Sequence, residues 1–166
     1  MIDLRFEICA RGDILPKLQG IACDPALDDY RSLLVYICDA LDGHIEFRVS
    51  GFGEADWPVT VSTDLPVFLE EVPNALMRAK RGDSFEIDFY EQGIQRKLTF
   101  QPQGSMFLIA CYSGTEWVPC PDTLEIDQNY TSMMIEHSLM CFLEILKKVS
   151  PEVFHHPWLV AWRCGE

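Results

Sequence analysis

The stretch from Phe85 to Tyr112 constrains the fold more than any other part of the chain. Phe85, Ile87 and Phe89 alternate with Glu86, Asp88 and Tyr90. Ile94, Leu98 and Phe100 resume the pattern after Glu91-Gln92-Gly93. Pro102-Gln103-Gly104 then precedes an almost unbroken apolar run, Met106 to Tyr112. A period of two sends successive side chains to opposite faces of a strand, and the glycine-bearing breaks are turn signals. Three consecutive antiparallel strands are expected here, the last of them central and buried on both faces.

The segments around this meander alternate between the two periodicities. Residues 2–9 set Ile2, Leu4, Phe6 and Ile8 against Asp3, Arg5 and Glu7, a strand with one wet face. Asp24-Pro25 reads as a helix cap and first-turn proline before Leu27, Tyr30, Leu34, Ile37 and Leu41, with Gly43 as the stop. Residues 32–38 are β-prone, so a strand is the alternative there. Ile45, Phe47 and Val49 form a further strand, Gly51-Phe52-Gly53 a turn, and Val59 with Val61 a short strand. Thr63-Asp64-Leu65-Pro66 opens a second helix whose apolar stripe continues past Pro73 to Gly82, as a kinked helix or two short ones.

Leu124 and Ile126 suggest one more strand, and residues 129–149 a final helix, mostly buried because Met133, Met134, Met140 and Leu143 widen its stripe. Trp158 and Trp162, four apart after Pro157, fasten the C-terminal tail to the sheet. The element order is not a regular βα alternation. It predicts an α+β fold: one domain over residues 1–166, a largely antiparallel sheet of about six or seven strands with about three helices packed on it.

Composition narrows function by exclusion. Thirteen basic against 26 acidic residues give a formal net charge of −13, the opposite of a nucleic-acid footprint. No apolar run nears the roughly 20 residues that span a bilayer, so no membrane partner is expected. Charges interrupt the first residues at every second position, which leaves no signal-peptide stretch and points to the cytoplasm. The seven cysteines are odd in number and widely spaced, as buried free thiols are, and unlike a secreted disulfide framework.

Motifs for chemistry are few. Gly51-Phe52-Gly53 follows a strand but leads into Trp57-Pro58-Val59, an extended stretch, whereas a dinucleotide turn needs a helix N-terminus there. Cys111, Cys120, His155 and His156 lack zinc-knuckle spacing, so no metal is expected, and no cofactor motif is present. A cysteine-dependent enzyme would pair Cys111 with His137, His155 or His156. Glu86 and Asp88 share a strand face, where Arg96 and Lys97 of the partner strand would neutralise them. Arg11-Gly12-Asp13 and Arg81-Gly82-Asp83 read as charged turns.

The acidic excess is uneven. Residues 20–77 carry eleven acidic residues against Arg31 and Arg48, and residues 98–146 carry six with no Lys or Arg. Glu54, Asp56 and Trp57 stand together, as do Glu116 and Trp117, at expected loop or strand ends. Tryptophan beside charge is a common make-up of an interface anchor, and these five are the candidate protein-binding residues. The rival reading folds the tryptophans over the edge of the core.

A small acidic α+β chain with a kinked helix, a Phe89-Tyr90-Glu91-Gln92-Gly93 hairpin and a closing apolar helix resembles the immunity proteins of bacterial polymorphic-toxin systems. The resemblance is to a general plan over Ile45 to Trp162 and rests on no diagnostic motif. It implies a basic protein partner, a cognate toxin or nuclease, neutralised by occlusion: carboxylates meet its Lys and Arg, and aromatics fill its cleft. The acids of this chain are scattered where such a plan would gather them. The alternatives are the cysteine-dependent enzyme and a structural protein that dimerises through a sheet edge.

Overall fold

The computed structural model describes residues 3–166. Two antiparallel sheets are present. The smaller pairs β1 (Arg5–Ala10) with β2 (Ile45–Ser50), from Arg5 opposite Ser50 to Ala10 opposite Ile45. The larger is a meander in the order β3 (Phe85–Phe89), β4 (Arg96–Gln103), β5 (Met106–Ser113), β6 (Thr123–Asp127). The α+β architecture read from the sequence is therefore present, with its six strands divided between two sheets. Phe68 joins them. Its ring lies 4.9 Å from Phe6 and 5.2 Å from Phe47 of one sheet, and stacks at 6.0 Å on Phe89 of the other. One apolar cluster thus spans both sheets.

The first strand buries Leu4, Phe6 and Ile8 as expected, while Ile2 lies outside the described residues. The first helix starts later than the periodicity implies. Asp24 accepts from the Ala26 N–H and closes a turn that leaves Leu27 83% exposed. Asp29 is the cap of α1 (Tyr30–Leu41), accepting from the N–H groups of Arg31 and Ser32. Residues 32–38 are helical, because Leu33, Leu34, Ile37, Cys38 and Leu41 form one buried stripe.

Val59 and Val61 form no strand. The carboxylate of Asp64 reaches back to the Thr60 N–H at 2.7 Å, coiling this segment into the start of α2 (Asp64–Arg81). Thr63, the expected cap, makes no side-chain cap bond. The helix runs unbroken through Pro73. Proline has no N–H to offer the carbonyl four residues earlier, and that carbonyl, Leu69 O, accepts instead from the Trp162 indole N–H at 2.8 Å. The tail is therefore fastened to α2, where the sequence pattern had pointed to the sheet. Phe142 meets Trp162 edge-on at 6.3 Å.

Only one face of the larger sheet is covered. Phe107, Ile109 and Cys111 are buried, whereas Leu108 and Ala110 are half-buried and Tyr112 is exposed, so β5 is central but not buried on both faces. The closing helix α3 (Gln128–Val149) buries Ile135, Leu139, Phe142, Leu146 and Val149. Met133 is 66% exposed and Met140 is exposed as well, so its apolar face is narrower than expected. Two short helices absent from the sequence reading follow, α4 (Pro151–Phe154) and α5 (Pro157–Arg163). Each opens on a proline and is capped by the side chain before it, Ser150 and His156 respectively. No helix among the described residues is long and apolar enough to cross a membrane.

Candidate protein-binding site

The loop after β2 and the loop after β5 meet at one end of the larger sheet. Phe52 takes a positive φ of 56° to bury its ring, and its carbonyl accepts from the Cys120 N–H at 2.9 Å. Gly53 follows at φ 87°, so close to the opposite loop that a Cβ there would stand 2.2 Å from the Cys120 carbonyl oxygen. Backbone freedom and the absence of a side chain are both needed at that position.

The two loops close over Arg96, the first residue of β4. Its neighbours in register are Phe89 and Ser113, and its side chain shares the core side of the sheet with Leu98 and Phe100. Arg96 is 3% exposed. One Nη donates to Glu54 Oε2 at 2.6 Å, and the guanidinium carbon lies 3.5 Å from the Trp117 ring centre and 4.5 Å from that of Trp57. The two indoles meet edge-on at 5.9 Å, and the Trp57 N–H donates to the Gly51 carbonyl. A guanidinium tolerates this setting because it is weakly hydrated and its faces stack on aromatic rings. Arg96 Nε has no hydrogen-bond partner, which makes the Glu54 contact the main compensation for the buried charge.

Three of the five sequence-derived residues, Glu54, Trp57 and Trp117, are thus drawn together, but around a cation of the chain itself. Trp57 is 2% exposed and belongs to the core. Trp117 is half-buried, Glu54 is partly open to solvent, and Asp56 and Glu116 are exposed. The surface that remains is a rim formed by the open edges of Glu54 and Trp117, with exposed Asp56 and Glu116 next to Trp57 and Trp117 in sequence; Asp56 also borders grooves that take in Arg5, Arg11 and Arg48. Beside the rim an open groove of about 690 Å³ takes in Tyr112, Trp117 and Val118.

Arg96 and Lys97 part company across the strand. Lys97 pairs with Glu86 at 2.7 Å on the outer face, as the sequence suggests, whereas Arg96 turns inward to Glu54. Alternation along β4 dictates this split.

A second acidic feature joins Glu86, which the sequence marks as a strand-face acid, to Glu70 and Glu71, which no motif marks. A groove of about 520 Å³ between α2 and β3 is lined by Glu70, Glu71 and Glu86. Glu71 accepts from the Asp88 N–H at 2.9 Å. Burial first, then the charges of Asp88, Glu70 and Glu86, push its carboxyl up to about 7 against the favourable backbone bond. Arg31 stands 3.7 Å from Glu70 and Lys97 sits on Glu86, so the bases of the chain partly answer this groove. Glu70 and Glu71 follow directly on the apolar pair Phe68-Leu69, but nothing in their spacing shows that β3 will run beside them.

The cysteine chemistry takes another form. Burial pushes the Cys111 thiol up to about 12, only partly offset by the charge of Arg96, the opposite of an activated nucleophile. Among the described residues no histidine lies within hydrogen-bond distance of it. The Cys–His contact present is Cys141 to His137, with Sγ 3.5 Å from Nε2, and the Cys141 thiol is likewise raised by burial. No three His, Cys, Asp or Glu side chains converge as a metal-ligand set among the described residues. No family model, curated protein or solved structure matches this chain.

Proposed function

We propose that the protein is a non-catalytic acidic binding protein that occludes a basic protein partner, in the manner of an immunity or antitoxin-like inhibitor. The observation that carries this reading is how the fold disposes of its cations. Arg96 is buried beneath two tryptophans, and Arg11, Arg31, Arg48, Lys80 and Lys97 each sit on a carboxylate of the chain itself. Six of the thirteen bases are so occupied, and the seven that remain are outnumbered by the acids left over, Asp56 and Glu116 at the rim among them. The field of that surplus speeds encounter with a basic partner, and an adjoining half-buried aromatic gives that partner an apolar contact.

Arg96 acts as a brace in this arrangement. It fixes the two rim loops from beneath, so that little loop ordering is left to oppose association. The experiment is co-expression with the product of the neighbouring reading frame. Growth rescue and a stable complex that weakens steeply with salt are expected. Absence of both rescue and complex removes the reading.

A further inference from the structure

The central strand of the larger sheet is too apolar for the face it leaves open. An antiparallel sheet with one wet face turns polar side chains outward. The other three strands do so: β3 turns out Glu86 and Asp88, β4 Lys97 and Thr99, β6 Glu125 and Asp127. The outward positions of β5 are instead Met106, Leu108, Ala110 and Tyr112. Tyr112 is 58% exposed, and neither Met106 nor Leu108 is among the side chains packed against the core cluster. Among the described residues the helices that contact this sheet are α2 at β3 and α3 at β5 and β6, and both bury their apolar stripes in that core. The run thus has the composition of a strand buried on both faces, while the chain covers one.

We propose that this open face docks an amphipathic basic helix, its apolar stripe lying along β5 and its Lys and Arg reaching the carboxylates on either side. The helix belongs to the basic partner proposed above, and the inference rests on that reading. Charge selects this occupant. Glu86 and Asp88 line the β3 side of the strip, and Glu125 and Asp127 line the β6 side, with Leu108 directly opposite Glu125 in register. The one base turned out from these strands, Lys97, is held by Glu86 at 2.7 Å. A second copy laid face to face with its strands aligned would set carboxylate against carboxylate, because both flanks are acidic. A stripe flanked by cations meets both flanks with opposite charge.

The dimensions agree. Three strand spacings set the two acidic flanks about 14 Å apart, which accommodates a helix about 10–12 Å across with long basic side chains at its sides. From Met106 to Tyr112 the strip runs about 20 Å, the length of a helix of about 14 residues. Beyond Tyr112 it continues into the groove that holds Trp117 and Val118, the latter 75% exposed. The end of the docked helix therefore reaches the rim.

The test uses two stapled helical peptides of about 14 residues and equal charge, one with a leucine stripe between lysines and one with those leucines replaced by glutamine. Each is titrated into the full-length protein and followed by backbone amide shifts. The leucine peptide should shift Leu108, Ala110 and Tyr112 most. Its affinity should exceed that of the glutamine peptide by about tenfold or more, and should fall by about tenfold or more in Leu108→Asp and in Glu125→Lys. Glu125 is exposed, so its replacement removes no packing and carries the test if Leu108→Asp fails to fold. No binding up to millimolar peptide, shifts centred elsewhere, equal affinity of the two peptides, or unchanged affinity in Glu125→Lys overturns the proposal. Asp56 and Glu116 are intact in both variants, and the peptides contain nothing of the neighbouring-frame product. Loss of peptide binding therefore removes this inference alone, and a product that fails to bind removes the proposed function alone.

Discussion

Glu54 and Arg96, 42 residues apart in sequence, meet at 2.6 Å beneath the rings of Trp57 and Trp117. This contact converts an acidic loop into a strut. Truncating Arg96 leaves Glu54 without its base and two indoles without the cation between them. Arg96→Ala should cost about 3 kcal/mol, measured by urea denaturation, the range found when one partner of a buried pair is removed. Arg96→Met restores apolar volume without the charge and should cost clearly less. Equal losses in the two variants would show that filled volume counts for nothing there and that the charge alone holds the loops.

Gly53 should be the least replaceable glycine of the rim. Gly53→Ala must move the Cys120 backbone as well as adopt a positive φ, and should cost more than about 2 kcal/mol. Gly104→Ala is the control: it has a comparable φ of 61° with nothing within 4 Å of the added carbon, and should cost about 1 kcal/mol. Denaturant midpoints of the two variants check the ordering.

Pro73 and Trp162 should couple. Trp162→Phe strands the buried Leu69 carbonyl and should cost about 2 kcal/mol, part from the lost hydrogen bond and part from reduced packing. With alanine at position 73 an N–H becomes available to that carbonyl, so Trp162→Phe should cost less in a Pro73→Ala background. A double-mutant cycle reads the difference, and strict additivity would refute the assignment.

Glu71 gives a pH dependence of known sign. Its carboxyl is raised from an ordinary 4.5 to about 7 in the folded state. The folded protein therefore holds a proton that the unfolded chain has released, and this group's contribution to stability falls as pH rises from 4.5 to 7 and is level above that. Glu71→Gln keeps an acceptor for the Asp88 N–H and does not titrate. The stability of the wild type relative to this variant should decline across that window, as followed by thermal melts at a series of pH values. A constant difference would contradict the assignment.

The thiols should sort by burial. Cys9, Cys120 and Cys164 are exposed and should react promptly with an aromatic disulfide reagent, while Cys38 and Cys111 should react only on unfolding. Prompt labelling of Cys111 in the folded protein would reopen the cysteine-dependent reading.

Local pattern made most of the elements legible. Alternation located β1 to β4, a continuous apolar run located β5, Leu124 and Ile126 marked β6, and three-four spacing located α1 to α3. Pattern failed where a side chain from elsewhere decides the backbone: Asp64 pulling Thr60 into a cap in place of a strand at Val59 and Val61, Asp29 outcompeting Asp24 as the helix cap. The acids and tryptophans of the rim were visible as neighbours in sequence. What drew Glu54, Trp57 and Trp117 together was not, because Arg96 reads as a surface base until alternation along β4 turns it inward. Two tryptophans beside acids thus had two readings, and burial separates them: Trp57 is core, and Trp117 retains an open face.

The central claim is that the rim carboxylates meet a basic partner, and calorimetric titration of the neighbouring-frame product with wild type and with an Asp56→Lys/Glu116→Lys variant tests it most directly. Both positions are exposed and lie outside the Arg96 brace, so folding should be unchanged. The account predicts an affinity lower by about tenfold or more in the variant, most of it recovered at high salt where the wild type also weakens. Equal affinity of the two proteins at low salt would contradict it.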